Sequence, residues 1–426
     1  MQIEYLPFLA YLLGCFWLFP HFIFVKKSGL SNTEVRILLA GKLGLAAVVA
    51  YYFSTLPYSD YQGFNTEGQL QYQLLWSNPV AFFTDLGGMN GDFSLSGLFS
   101  ASYSFWADIR FGLLYKIIAV FNLVTGGNFF FNSILFSSIV FFGHVAFYRI
   151  FRQIYPTYKW LLVMICFMLP SLLMYTSCVH KDGFVFLGIA AVSYVFYSFL
   201  NKPRLPKFSH MLVFILAMIT IFLFRNYVLV ALLPAMFTVL LCRLFPFKRK
   251  IIVPTSYGIY TLLFFLSGYI SPSLNLPEAV IKRKADFALL EKGNTTMPMH
   301  ELQPNVGSFL SNIPQALDHT LMRPYLWESS RPGVILVAIE LLLYQILFLL
   351  FLFYRYKKRE PIHNFNVFGI LFFLSMMLII GYTIPNIGAI VRYRSIFWIL
   401  VLCPIVCNIN WEKLSGVVGL KPKHSF

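Results

Sequence analysis

Two carboxylates lie close together just after the second apolar stretch of the chain. They are Asp60 and Glu67, in Tyr58-Ser59-Asp60-Tyr61-Gln62-Gly63-Phe64-Asn65-Thr66-Glu67-Gly68. The whole chain has 426 residues and only 17 acidic ones. An acid set just outside an apolar run is costly unless solvated or paired. Transfer of a group to a hydroxyl at a membrane surface needs a base of this kind. Asp60 is therefore the first candidate base, with Glu67 or Asp182 as substitute, and the Tyr61 ring is expected to line the same site. A solvated acid after a span is the plainer alternative.

Four further clusters could carry chemistry. His180-Lys181-Asp182 falls between two apolar runs with almost no loop, which puts Lys181 and Asp182 near membrane depth. A lysine there suits a phosphate, with Asp182 as its partner or as a second acid. Arg225-Asn226 is equally tight, and its arginine either snorkels or points inward to hold an anion. In Leu321-Met322-Arg323-Pro324-Tyr325-Leu326-Trp327-Glu328, Tyr325 and Trp327 could stack on sugar faces or anchor at headgroups. Arg323 and Glu328 there are substrate-binding candidates, or a surface ion pair of little weight. Asn386, Arg392 and Arg394 sit in Pro385–Arg394, and arginine forks suit phosphate. Glu340, inside an apolar run, should face the bundle interior.

The elements that must position these residues are membrane helices. The chain is 58% hydrophobic and 12% charged, with mean hydropathy +0.70; soluble domains carry about twice that charge. Apolar runs of spanning length are 4–25, 37–56, 111–126, 129–148, 160–178, 183–200, 208–224, 226–243, 252–270, 333–354, 365–384 and 395–409. An all-α polytopic membrane bundle of roughly 11–13 transmembrane helices follows. It is expected as one membrane domain over 1–426. An interfacial or extracytoplasmic loop covers 57–110, with aromatic helices from Gln69 to Trp106 beginning near Glu67. A proline-rich extracytoplasmic insertion covers 271–332. The first run has no basic segment before it and reads as a span, not a cleavable leader.

Charge then orients the chain. Basic clusters around Lys26-Lys27-Arg36, Arg149-Arg152-Lys159, Lys202-Arg204-Lys207, Arg243-Lys248-Arg249-Lys250, Arg355-Lys357-Lys358-Arg359 and Lys413-Lys421-Lys423 mark the cytoplasmic face. The net charge of +16 is thus topological, and no nucleic acid is expected. Asp60 outside and Arg149 inside require an odd number of crossings between them, where only two clear spans are read. The six cysteines lie in or beside spans, so free thiols are expected and no metal site. No phosphate-binding glycine loop, HExxH or G-x-S-x-G motif occurs, and no cofactor is implied. Asn294-Thr295-Thr296 matches the glycosylation sequon, a weak signal.

Lys181, Arg225, Arg323, Arg392 and Arg394 outnumber the acids on the outer face. A basic patch at a bilayer surface suggests a polyprenyl-phosphate or diphosphate headgroup, and carboxylates beside it suggest glycosyl transfer. The order of these features resembles the GT-C glycosyltransferase superfamily and the allied bacterial O-antigen and exopolysaccharide polymerases. Ser59-Asp60-Tyr61 with the aromatic stretch through Trp106 is similar to the first outer loop of that superfamily, whose Asp is the base. Pro170-Ser171 through Lys181-Asp182, and Arg323 to Glu328 leading to Glu340, are similar to runs in the same group. The resemblance implies a polyprenyl-phosphate-linked sugar donor and a glycan or lipid acceptor at the outer face of a bacterial inner membrane. The chain departs from the pattern in its extra first span and in lacking Asp-x-Asp. The alternatives are a repeat-unit polymerase or ligase using diphosphate-linked oligosaccharide, and a flippase for the same lipid. No inverted repeat supports the flippase.

Overall fold

The computed structural model describes residues 6–56, 59–85, 95–99, 104–201, 207–289, 295–356 and 362–417. Tyr58, Phe93, Tyr103, Lys202, Arg204, Glu291, Lys292, Asn294, Lys357, Lys358, Arg359, Lys421 and Lys423 lie outside them. Among the described residues the regular elements are all helices, apart from two isolated bridges, Thr296 with Asn386 and Arg355 with Ile409. In order the helices are α1 (Leu6–Leu18), α2 (Ile23–Lys26), α3 (Asn32–Thr55), α4 (Asp60–Ser77), α5 (Pro79–Thr84), α6 (Phe105–Thr125) and α7 (Phe129–Ile154). There follow α8 (Lys159–Met168), α9 (Pro170–Tyr175), α10 (Lys181–Asn201), α11 (Phe208–Arg225), α12 (Tyr227–Leu244) and α13 (Arg249–Ile270). The last are α14 (Leu276–Leu289), α15 (Val306–Leu317), α16 (Pro332–Tyr354), α17 (Asn364–Thr383), α18 (Ile387–Ser395), α19 (Ile399–Cys407) and α20 (Trp411–Val417).

Among the described residues, eight helices are long and apolar enough to cross a membrane: α3, α7, α10, α11, α12, α13, α16 and α17. The chain is an all-α polytopic membrane protein. The pair α18 and α19, bent by 65°, would make a ninth span. Three expected spans take other forms. The run 4–25 breaks at Pro20 after the 13 residues of α1. The run 160–178 breaks at Leu169-Pro170, because a residue before proline is pushed to extended backbone and the proline cannot continue the ladder. The run 111–126 is part of α6, which carries Asp108, Arg110 and Lys116. Among the described residues between Asp60 and Arg149 the long helices are α4, α6 and α7.

Local sequence accounts for several ends. Ser31 and Glu34 close a capping box on α3, with Glu34 N to Ser31 Oγ at 3.2 Å and Ser31 N to Glu34 Oε2 at 2.8 Å. Gly126 (φ 62°) and Gly127 (φ 79°) stop α6 in the left-handed region, where a side chain would be strained.

The residues divide into two compact units. The first is Met1–Arg149, Cys166–Phe196 and Leu205–Asn226; the second is Ile150–Ile165, Tyr197–Arg204 and Tyr227–Phe426. In the first unit, α4 lies on α6 at Gly68, where a Cβ would run into Ile118. Amides lock this contact. Asn132 Nδ2 donates to Asn65 Oδ1 at 2.8 Å and to Asn122 Oδ1 at 2.7 Å. Asn65 and Gln69 both donate to Gly127 O, at 3.3 and 2.9 Å. A polar helix face is tolerable inside a membrane protein when its groups satisfy one another in this way. Glu67, expected at the start of a surface helix, instead lies in the middle of α4 and is exposed.

In the second unit, α12 packs on α13 and α17, and the fully buried rings of Phe365, Phe368, Phe372 and Phe397 contact one another in series. The helix α15 rests on α17 at Gly381, against the Ala316 backbone. Alanine at Gly68 or Gly381 should therefore lower stability by about 1–3 kcal/mol through overpacking. Gly63→Ala, in open space on α4, should raise it by about 0.5–1 kcal/mol. Thermal unfolding of the purified variants in one detergent checks all three.

Candidate functional site

The first unit gathers its charges around the loop between α9 and α10. That loop cannot reach water, so its polar groups must find partners inside. Lys42, from the middle of α3, donates to Thr176 Oγ1 at 2.8 Å, Thr176 O at 3.2 Å and Ser177 Oγ at 3.2 Å. Cys178 packs with Val49, Ala50, Phe53 and Tyr61. Asp182 has no exposed surface; His180 Nδ1 lies 2.9 Å from its Oδ2, and Arg225 pairs with its other oxygen. Next to Arg225, the Asn226 amide donates to Leu98 O.

Above this core lie the groups that solvent can reach. The Lys181 ammonium is half-buried, 4.0 Å from the Phe111 ring and 5.4 Å from Phe64. Aromatic faces attract a cation. Asp60 is exposed and is the first residue of α4, where the helix dipole favours its negative charge. One turn along that helix, Phe64 reaches both Lys181 and His180, the latter at 5.6 Å. Asp60 and Glu67 are both within electrostatic reach of Tyr115 on α6. The first unit thus brings together Asp60, Tyr61, Lys181, Asp182 and Arg225. It also divides their roles. Tyr61 is buried, stacked on Phe53 at 4.0 Å and tilted against His180 at 4.9 Å, so it packs the site instead of lining it. Asp182 and Arg225 pair with each other, so of these five residues Asp60 is the exposed carboxylate and Lys181 the more accessible cation.

The second unit holds the remaining candidates at a tight turn after α15. Asp318–Met322 form one π-helical turn. Arg323 then forks between two acids, Nε to Asp318 Oδ2 at 2.8 Å and Nη1 to Glu328 Oε1 at 2.7 Å. Tyr325 donates its hydroxyl to Asp318 Oδ1 at 2.7 Å and its backbone N–H to Glu328 Oε2 at 2.9 Å. Burial opposes the Arg323 charge, but the Asp318 hydrogen bond and the Glu328 carboxylate outweigh it, so its pKa rises above the usual value. The Asp318 hydrogen bond, then burial, raises Tyr325. The Tyr325 and Trp327 rings stack 4.9 Å apart with 2° between their planes, and Trp327 is 80% exposed.

Arg394 is buried and donates to Thr320 O and Arg323 O, both at 2.6 Å. It holds the turn in place. Asn386 caps α18 through Ala389 N at 3.2 Å and accepts from Thr295 Oγ1 at 3.1 Å. Arg392 is half-buried beside Tyr393, with Nη2 3.4 Å from the phenol oxygen. Glu340 is buried within α16, as its apolar context required, and accepts from Tyr344. A separate open hollow of about 490 Å³ near His300, Gln303, Asn305 and Ser308 includes none of the residues selected from the sequence.

Lys42, Arg283 and His319 are among the buried polar residues that the sequence reading did not select. Lys42 carried a usable signal, a cation within the run 37–56. Arg283, buried and 4.2 Å over the Tyr227 ring, carried none, because α14 reads as a solvated helix. His319, buried beside Arg323, was hidden by the turn. Among the described residues no cluster of three or more metal-binding side chains occurs. Compared with known proteins, the chain matches no family model, no curated protein and no solved structure.

Breaking the Asp182–Arg225 pair from one side should be severe. Arg225→Met alone should cost about 3–5 kcal/mol, whereas Asp182→Asn with Arg225→Met should cost much less than the two singles summed. A double-mutant cycle by thermal unfolding reads this. His319 gives a pH signature. Burial, then Arg323, lowers its pKa below the usual 6.5, with Asp318 opposing. The unfolded chain then binds the extra proton, so this contribution to stability is complete above about pH 6.5 and is lost as pH falls toward the depressed value. The His319→Gln variant should lose less stability than wild type between about pH 6.5 and 5.

Proposed function

We propose that this chain is a membrane glycosyltransferase that moves a sugar from a polyprenyl-phosphate-linked donor to a glycan or lipid acceptor at the outer face of a bacterial inner membrane. One observation carries the reading. Asp60 is exposed at the head of α4, one turn from the Phe64 ring that also meets the half-buried Lys181. A reachable carboxylate close to a reachable ammonium suits a base for the acceptor hydroxyl and a ligand for the donor phosphate. Asp60 takes the hydroxyl proton as the oxygen attacks the anomeric carbon, and the lipid phosphate leaves with the electrons of the broken bond. Lys181 balances the charge on that leaving phosphate. The buried Asp182–Arg225 pair acts through position, holding the loop that carries Lys181.

The test is transfer from a radiolabelled polyprenyl-phosphate sugar by purified protein in vesicles. Asp60→Asn should lower kcat by about 10²–10⁴-fold with folding intact. Lys181→Met should weaken donor binding. An Asp60→Asn protein that folds and transfers at the full rate removes the base assignment. If Lys181→Met and Arg392→Gln alone abolish product, a polymerase or ligase using diphosphate-linked oligosaccharide takes its place.

A further inference from the structure

The second unit contains a groove of about 1220 Å³ that has no part in the transfer reading. It lies between α16, α17 and α19, and Phe348, Leu349, Ile370, Phe373, Val401 and Ile405 form much of its wall. The lining runs along α16 from Tyr344 to Phe351 and on to Arg355 just past its end, a length of about 15 Å. Both α16 and α17 are spanning helices. The groove is therefore a slot at hydrocarbon depth, and apolar walls there favour a hydrocarbon occupant over water.

The two ends differ. At the inner end Gln345 donates to Leu321 O at 3.1 Å, which closes the slot with the turn after α15. At the other end the wall becomes polar. The Tyr155 hydroxyl accepts from Asn366 at 2.7 Å and from Asn408 at 3.0 Å. Beyond it, residues from three separate basic clusters converge. Arg355 bridges to Ile409, the Lys413 ammonium sits 5.5 Å over the Tyr354 ring, and Arg249 donates to Ile362 O at 2.6 Å. Glu412 is the acid beside them.

An apolar slot at membrane depth that opens under a basic rim is complementary to one kind of bilayer component. We infer that the groove holds one hydrocarbon chain of an anionic glycerophospholipid from the surrounding membrane, its phosphate against Arg355 and Lys413. Each basic side chain near an anionic headgroup contributes about 1 kcal/mol, and each buried methylene about 0.8 kcal/mol. The inference does not depend on glycosyl transfer.

Native mass spectrometry of the full-length protein, with phosphatidylglycerol or phosphatidylcholine as probe, tests it. Wild type should retain one phosphatidylglycerol in preference to phosphatidylcholine. Ile370→Trp, which fills the slot from a partly exposed position, should lower retention of that lipid by about tenfold or more. Arg355→Gln with Lys413→Gln should lower phosphatidylglycerol retention by about tenfold or more and leave phosphatidylcholine unchanged. The charge pair lies on exposed positions, so it keeps the test valid if the tryptophan variant misfolds. Equal retention of both lipids, or retention insensitive to both variants, overturns the inference. A lipid-free dimer that Ile370→Trp dissociates also overturns it, in favour of a second copy in the groove.

Discussion

A carboxylate with no exposed surface stays charged inside a membrane bundle only if the bundle supplies its counter-charges, and in the first unit that requirement is met at Asp182. Arg225 and His180 close on it from α11 and from the preceding loop. The cost of desolvating either charge alone exceeds anything the loop could recover by other contacts. The pair therefore fixes where α10 begins and where α11 ends. The loop before α10 is fixed with it, which brings Thr176 and Ser177 to Lys42 and His180 to Tyr61. The exposed Asp60 and the half-buried Lys181 are carried on this satisfied core. Chemistry at a membrane surface needs such a division, because a reactive charge must be reachable while its support is dry and rigid.

The second unit solves a similar problem outside its spans. Arg323 joins Asp318 and Glu328 across one turn, and Arg394 donates from Nη1 to two carbonyls of the same turn. Two arginines that might have gripped an anion are instead the framework for a stacked aromatic pair. The exposed face of Trp327 is the product of that framework. Partly exposed ion pairs add little stability one by one, but here they share residues and fix a geometry.

Basic residues in this chain serve more than one purpose. The clusters that orient a membrane protein are usually described by number alone. Arg249, Arg355 and Lys413 come from three of them and meet at the mouth of one apolar slot. Arg149, from another, lies between the rings of Phe24 and Tyr194 at 4.5 and 4.7 Å. Orientation, lipid contact and packing are compatible because each uses a different part of the side chain.

The sequence by itself determined that the chain is an all-α membrane protein, since run length and apolar composition suffice for that. The tight spacing around Lys181, Asp182 and Arg225 also pointed to the burial that Asp182 and Arg225 show. The breaks at Pro20 and Pro170 have local causes, yet the runs 4–25 and 160–178 were expected as continuous spans. Partner choice was not readable in the sequence. Lys42 and Thr176 are 134 residues apart in the chain, and nothing in either neighbourhood names the other. Whether Asp182 or Asp60 is the reachable acid also depended on tertiary packing. Both are acids at the start of a helix after an apolar run; one is met by Arg225 from a distant helix and the other faces solvent. Run lengths are local properties, but burial and charge pairing are properties of which helices pack together.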